Sequence, residues 1–348
     1  MTIDNKNSIL NVFVSDLYLK YPQSHRRIKR EHMTIQNWRI FITVCECGSI
    51  TTAANQLYMA QSAVSRSIIE IENFYNIQLF DRRNRKIQLT SAGEAILGYA
   101  RDILNNYALM ENYIRGIESH MVLRIGASTS FTKFILNQAF PAFQSQYPFI
   151  ETKMSIDLSS SLEKKVIAGD IDIAFIERPP SVSTLKILKI PGDQLCLFCS
   201  AKHPLAKKEI LVFQDLKDYG FCLKMPGQSS RDLFDAFCLL NGYRIQSIYE
   251  SIVSYGLAES VRDSDRIGVL SFWGLKTSKI MDQLKILNVS DVLLKRDYYI
   301  LTRDGYNLSK MKADRLIELS KGIAAKQYES MRQFFLEKGI RTVEPLSK

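Results

Sequence analysis

The chain has 348 residues, 46% of them apolar and 24% charged, with 46 Lys/Arg against 36 Asp/Glu and a net charge of +10. That length suits two or three domains, and the apolar share supplies sizeable cores. No apolar run reaches the roughly 18 residues of a membrane span, and the basic balance suits a nucleic-acid partner or a soluble basic protein.

Residues 1–32 read as an N-terminal extension with six Lys/Arg against three Asp/Glu. Asp16 interrupts its apolar stretch and no basic region precedes that stretch, so a signal peptide is not expected and a cytoplasmic address is. Pro22 is followed by His25-Arg26-Arg27-Ile28-Lys29-Arg30. The segment reads as a disordered tail, the product of an upstream start the cell does not use, or a basic arm touching DNA flanks.

From Trp38 to Thr90 the pattern is three helices and a hairpin. Trp38, Phe41, Ile42 and Cys45 form a core stripe at i, i+3, i+4, i+7 spacing. Gly48 breaks that helix, and Ser49 or Thr51 can cap the next. The second helix, Thr52 to Tyr58, is short and carries Ala53-Ala54, which allow a third helix to approach closely. After the turn Met59-Ala60-Gln61, the third helix puts Val64, Ile68 and Ile71 on one face. Ser62, Ser65, Arg66 and Ile69 fall on the opposite face, a short, hydroxylated and cationic surface of the kind that enters a major groove. Two short helices with such a turn are the helix-turn-helix layout. Ile77 to Phe80 and Ile87 to Thr90 read as two strands around Asp81-Arg82-Arg83-Asn84-Arg85-Lys86, a basic wing tip suited to phosphates or the minor groove.

Residues Met33 to Gly93 resemble the DNA-binding domain of the LysR-type transcriptional regulators. The matching residues are Phe41, Gly48-Ser49-Ile50, Ala53-Ala54, Leu57, Gln61-Ser62-Ala63-Val64-Ser65, Ile68, Glu72, Leu79-Phe80, Arg82 and Leu89-Thr90-Ser91-Ala92-Gly93. Ser62 stands where the family often has proline, and Ile69 where it has a polar residue. The resemblance, with the helical faces above, makes Ser49, Thr51, Thr52, Gln61, Ser62, Ser65, Arg66, Arg82, Arg83, Arg85 and Lys86 the expected DNA-binding residues. The partner they imply is double-stranded DNA.

Residues 91–119 read as one long helix. Ile96, Ala100, Ile103, Tyr107, Met110, Ile114 and Ile117 are spaced 4, 3, 4, 3, 4, 3, a heptad seam over about three repeats. A helix packed on its own domain shows similar spacing. The family's linker helix makes an antiparallel dimer contact, so a homodimer or homotetramer is expected.

Residues 120–325 alternate strands and helices, hence an α/β region. Strands are expected at 122–127, 150–158, 171–176, 195–200, 267–272 and 297–302, and helices at 132–146, 162–168, 231–241 and 308–321. Gly169-Asp170-Ile171-Asp172-Ile173-Ala174-Phe175 and His203-Pro204-Leu205-Ala206 resemble the family's effector domain, which is similar to periplasmic binding proteins of type 2. That implies lobe I at 122–192 and 293–325, lobe II at 193–292, and a ligand cleft between them. Ser264 and Arg266 replace usual glycines, and Ser271 a usual proline. Residues 326–348 read as a C-terminal extension with an extra amphipathic helix through Tyr328, Met331, Phe334 and Phe335.

In the cleft, Ser128-Thr129-Ser130 and Ser159-Ser160 open helices whose free N–H groups suit a carboxylate or other anion, while plain helix capping explains the same residues equally well. With Arg178 and Ser229 they are the expected effector-binding residues. The effector is expected to be a small-molecule co-inducer, with carboxylates and amino acids as the candidate classes. RNA polymerase is a further partner on this reading.

Enzymatic readings find little support. The four histidines lack metal-ligand spacing, and no nucleophile elbow, P-loop or dinucleotide fingerprint is present, so no catalytic residue, metal or cofactor is expected. Cys196 and Cys199 sit three apart on a strand and point to opposite faces, so they read as small buried apolar residues. A peroxide-sensing branch of the family uses two cysteines. Cys238 matches the second, but Ser229 stands at the reactive position, which argues against thiol sensing. Two function classes remain: a ligand-responsive transcription factor, in which effector binding closes the lobes and changes how DNA is bent, and a small-molecule binding or transport-type protein whose N-terminal part serves assembly.

Overall fold

The computed structural model describes residues 33–81, 87–114, 121–305 and 312–346. The N-terminal extension, the wing-tip cations Arg82, Arg83, Arg85 and Lys86, and Ile117 of the seam lie outside the described residues.

The N-terminal unit follows from its caps and its apolar stripes. Helix α1 (Ile35–Cys47) opens with a capping box: Asn37 N donates to Thr34 Oγ1 at 3.3 Å and Thr34 N donates to Asn37 Oδ1 at 3.0 Å. It ends at Gly48, whose φ of 61° suits a residue without Cβ. Ser49 caps α2 (Ile50–Gln56) by accepting from Thr52 N at 3.3 Å. Helix α3 (Gln61–Tyr75) buries Val64, Ile68 and Ile71 against Phe41, Val44, Ala53 and Ala54. Buried Ser67 is tied to α1 by Asn37 Nδ2, which donates to its hydroxyl at 3.0 Å. The wing is the antiparallel pair β1 (Phe80–Asp81) and β2 (Gln88–Leu89). Glu72 holds it to α3, accepting from Leu79 N at 2.9 Å and Phe80 N at 3.3 Å.

Helix α4 (Ser91–Ile114) divides the expected seam. Ile96, Ala100 and the neighbouring Leu97 turn into the winged-helix core, whereas Ile103, Met110 and Ile114 are exposed. The same helix is clamped to the effector region, a contact with no sequence signal. Arg303 donates to Asp102 Oδ1 at 2.6 Å and Oδ2 at 3.1 Å, and also to the carbonyls of Val166 and Ile171. Arg101 donates to Ala168 O at 2.7 Å and pairs with Asp170. Gly98 makes the approach possible, because a Cβ there would lie 2.4 Å from Ile167 O.

The effector region holds two sheets joined by one strand. Lobe I has the order β4 (Ile150–Ile156), β3 (Met121–Ala127), β5 (Ile173–Ile176), β11 (Lys295–Arg303), β6 (Leu185–Ser200), with β3 parallel to both β4 and β5. Strand β6 pairs with β11 as far as Gln194 and with β9 (Ile267–Ser271) from Leu195, so it passes from one lobe to the other within a single peptide. Lobe II continues through β7 (Gly220–Lys224) to β8 (Gln246–Ser251), and β10 (Leu284–Ile286) lies on the other edge of β6. Of these strands, β7, β8, β10 and the first half of β6 have no counterpart in the sequence reading. β7 is buried on both sides and β8 is largely exposed, so neither alternates, and β10 has only three residues.

Helices cover both sheets. Lobe I carries α5 (Thr129–Phe131), a π turn (Thr132–Leu136) and α6 (Asn137–Gln146) in unbroken succession, then α7 (Ser159–Ala168). Lobe II carries α8 (Ser229–Leu240), α9 (Ser254–Arg262) and α10 (Phe272–Lys276). Ser271, where proline is usual, caps α10 by accepting from Gly274 N at 3.1 Å.

The expected boundary at residue 325 is not a break. One helix, α11 (Ala313–Glu337), runs straight through it. Ala313, Leu316 and Ala324 belong to the lobe I core, while Tyr328, Met331 and Phe335 belong to a lobe II core with Phe272 and Leu275. The apolar period is unbroken across the boundary, so a second helix has no place to begin. The result is a splint across the lobes.

Candidate DNA-reading face and effector cleft

On α3 the buried stripe leaves Gln61, Ser62, Arg66 and Ile69 exposed and Ser65 half-buried. Thr51 and Thr52 are exposed at the start of α2, and Ser49 is half-buried in its capping role. All the expected reading residues within the described range therefore lie on the surface rather than in the core. Ser62, Ser65, Arg66 and Ile69 fall on one side of α3 because its period places i, i+3, i+4 and i+7 together. Tyr58, in the turn before α3, has a φ of 54° and is 97% exposed.

The cleft between the lobes has a volume of about 290 Å³. Ser128, Thr129, Ser130, Ser159 and Ser229 line it, as expected. Ser160 does not. It follows Ser159 on α7, so its side chain is turned about 100° away and exposed. Arg178 does not either. Its guanidinium donates to Glu163 Oε2 at 3.1 Å, and that buried carboxylate also accepts from Ser181 N and Val182 N at 2.6 and 2.9 Å. Arg178 therefore fastens the loop after β5 to α7 instead of facing a ligand.

The anion expected at Ser128–Ser130 is already present, and it belongs to the chain. Glu177 Oε1 accepts from Ser128 Oγ at 2.6 Å, Ser130 N at 3.0 Å and Phe131 N at 3.2 Å. Its Oε2 accepts from Ser229 Oγ at 2.8 Å and from Arg296. Arg296 in turn grips Asp193 through two 2.8 Å bonds. Burial alone would raise the Glu177 carboxyl, but the Arg296 guanidinium and the Ser128 and Ser229 hydroxyls outweigh it and hold it below its ordinary range. The group is an ionised strut from the first strand–helix turn of lobe I to the first turn of α8 in lobe II.

What remains open in the cleft is electropositive. Lys224, at the end of β7, is buried and donates to Ile252 O. Burial lowers its ammonium to about 8, Glu177 opposing and Arg296 reinforcing the shift. Helices α7, α8 and α9 all point their first turns at the same space, through Ser159, Ser229 and Ser254. Asp157, the other acid in the lining, is engaged: Lys165 and Ser161 hold it down at about 2, and its Oδ1 accepts from Leu158 N. Sequence reading missed Glu177, Lys224 and Arg296. The available signal was a charged residue at the end of each buried strand, a place where burial forces a charge to find a partner.

Cys196 and Cys199 are buried as expected, as are Cys222 and Cys238, while Cys45 and Cys47 are partly buried. Cys196 and Cys199 enter separate cores on the two faces of β6. Burial pushes Cys199 up to about 12 and Cys238 to about 11. Among the described residues no group of three or more His, Cys, Asp or Glu could hold a metal ion, and no helix is long and apolar enough to cross a membrane.

A winged helix-turn-helix reader joined by a long helix to a two-lobed cleft defines a DNA-binding regulator with a small-molecule effector domain. Residues 35–94 match the family model described as bacterial regulatory helix-turn-helix protein, lysR family, and residues 118–322 match the LysR substrate binding domain. The chain belongs to the LysR-type transcriptional regulators and is not an enzyme. It is 23% identical over 280 residues to the HTH-type transcriptional activator CmpR of Synechocystis, covering 80% of this chain and 92% of that one. Full-length OxyR from Pseudomonas aeruginosa superposes with a TM-score of 0.61 at 18% identity, covering 84% of this chain and 95% of that one. The regulatory domain of CcmR from Synechocystis PCC6803, in complex with 2-PG, superposes with a TM-score of 0.52 at 20% identity, covering 58% of this chain and 98% of that one. The transport-type alternative is thereby set aside.

Proposed function

We propose that the effector of this regulator is a small anion, a carboxylate or phosphate, held against Lys224 and the free N–H groups at the starts of α7 and α8. The observation that carries this reading is the convergence of three helix N-termini and one buried lysine, bonded to the carbonyl of Ile252 and among the described residues in no ion pair, on a cavity of about 290 Å³. The carboxylate of Glu177, which accepts from Ser128 Oγ, Ser130 N and Phe131 N, supports the chemistry: this fold stabilises an anion at a serine-opened helix. The CcmR regulatory domain bound to 2-PG supports a small-molecule ligand for such a lobe pair.

On the DNA side, Ser62, Ser65 and Arg66 read base edges and the wing cations grip phosphate, in a dimer or tetramer paired through the exposed apolar side of α4 at Tyr99, Ile103, Met110 and Ile114. A contact with RNA polymerase belongs to the same reading.

The effector reading is tested by thermal shift of the full chain with small carboxylates and phosphate esters beside their neutral amides and alcohols. The expected result is stabilisation by anions alone, abolished in Lys224→Met. Equal stabilisation by the neutral analogues overturns it. The DNA reading is tested by gel shift with DNA upstream of its own and neighbouring genes. Binding that weakens steeply with salt supports it, and salt-independent binding refutes it.

A further inference from the structure

On the outer side of lobe II a second cavity, of about 560 Å³, lies between the α10–β10 segment and the last turns of α11. None of its lining residues lines the cleft. One wall of it is built by Phe334, Lys338 and Ile340, which lie beyond residue 322, where the family match stops. It is therefore not part of the effector site described above.

Its chemistry has two parts. The floor is apolar: Leu284 and Ile286 are buried, and Met281, Phe334 and Ile340 are partly buried. The rim carries Lys276, Lys279, Lys285 and Lys338, all exposed, with Asp282 as the one carboxylate in the lining. Among the described residues none of these four lysines is in an ion pair, whereas Lys165, Lys189 and Lys208 elsewhere each have a carboxylate within 3.4 Å. Lys276 Nζ stands 4.4 Å from the centroid of the Phe334 ring, so it sits at the seam between charge and floor. Ser278, nine-tenths buried in the same lining, has a hydroxyl without a hydrogen-bond partner among the described residues. Four like charges around one concavity repel each other and concentrate anions there. An apolar floor beneath them selects anions with an apolar body. The volume falls within the roughly 300–1,000 Å³ of small-molecule sites.

We propose that this cavity binds an amphiphilic carboxylate, its head among the four lysines and its apolar body on Met281, Phe334 and Ile340. It is a second ligand site, distinct from the effector cleft.

The test uses the full chain with 13C-methyl methionine, the Met281 signal being assigned with Met281→Leu. Octanoate is the probe, acetate supplies a head without a body, and 1-octanol a body without a head. Octanoate is expected to shift the Met281 signal saturably, with acetate and octanol at least about tenfold weaker. The double variant Lys279→Ala/Lys285→Ala is expected to weaken octanoate by a similar factor, and because both side chains are exposed its melting temperature serves as the folding control. Lys224→Met, which disables the cleft, is expected to leave the Met281 titration unchanged. The proposal is overturned by an unmoved Met281 signal, by octanol binding as well as octanoate, by an unchanged affinity in the lysine double variant, or by loss of the shift in Lys224→Met.

Discussion

Ser229 Oγ, in the first turn of α8 in lobe II, donates to Glu177 Oε2 of lobe I at 2.8 Å. The bond makes a carboxylate of one lobe the ligand of a helix start in the other. With β6 and α11 it is one of several ties that cross the cleft. Opening or closing the lobes therefore has to work against a buried ion network and a continuous helix, not only against loops.

Removing that carboxylate leaves Arg296 with Asp193 as its one carboxylate partner among the described residues and an unfilled anion site at Ser128–Phe131. Glu177→Ala should cost about 3–5 kcal/mol in urea unfolding, the usual range for breaking a buried pair. Added formate should restore part of the loss in Glu177→Ala and none in the wild type, because a small carboxylate can occupy the vacated place. The acid limb gives a second check. Glu177 has a folded value below its ordinary one, so its stabilisation is complete above the ordinary glutamate range and is lost as the pH falls through the lowered value. Glu177→Gln should flatten that limb, and an unchanged limb would show the group contributes nothing.

Lys224 differs in that the fold disfavours its charged form, where it favours that of Glu177. Burial takes its ammonium from an ordinary 10.5 down to about 8. Between those values the unfolded chain binds the extra proton and the folded chain does not, so stability rises with pH through that window. Lys224→Met should remove this rise and raise the melting temperature at pH 7. It should also abolish anion binding, whose affinity in the wild type falls as the pH climbs above 8. A lower melting temperature for Lys224→Met at pH 7 would mean that the bond to Ile252 O outweighs the cost of burial.

Arg66 is exposed on α3. Arg66→Ala should leave thermal stability within about 0.5 kcal/mol of the wild type and weaken specific DNA binding by about 1–3 kcal/mol if the guanidinium reads a base. Comparing operator and random duplexes separates the roles. A base contact relaxes sequence preference, while a phosphate contact weakens both duplexes alike and lowers the salt slope by about one.

The seat of α4 on lobe I has its own weak point. A side chain at Gly98 would place its Cβ 2.4 Å from Ile167 O and 3.0 Å from Arg303 Cδ, atoms with little room to yield. Gly98→Val should lift the helix from the lobe and break the Arg303–Asp102 pair, read as a larger radius of gyration in small-angle scattering. The effector domain should keep its own melting transition. An unaltered scattering profile would show that α4 and lobe I do not depend on this contact.

Much of the molecule could be read from local pattern. The periodicity of Val64, Ile68 and Ile71 fixed which side of α3 is buried and, by exclusion, which side carries Ser62, Ser65 and Arg66. The three-residue spacing of Cys196 and Cys199 correctly placed them on opposite faces of a strand. Such features depend only on the 3.6 and 2.0 residue repeats, which one sequence displays. Ser128 and Ser159 could be read as helix starts because a small polar residue after a strand is a local signal, although neither side chain caps its helix and Ser229 opens a helix two residues earlier than its pattern suggests.

Other features were decided by the assembled structure. Glu177 fills the anion site at Ser128, 49 residues away in the chain, and Arg296 meets Glu177 from 119 residues further on. Arg178 looked like a ligand residue until its distance from Glu163 was known. Whether a charged side chain faces a ligand or another residue of the chain depends on what long-range folding brings opposite it. A residue type and its neighbours carry no record of that distance, so the sequence could name the hydroxyls and helix starts of the cleft while only the fold could show which anion already sits among them.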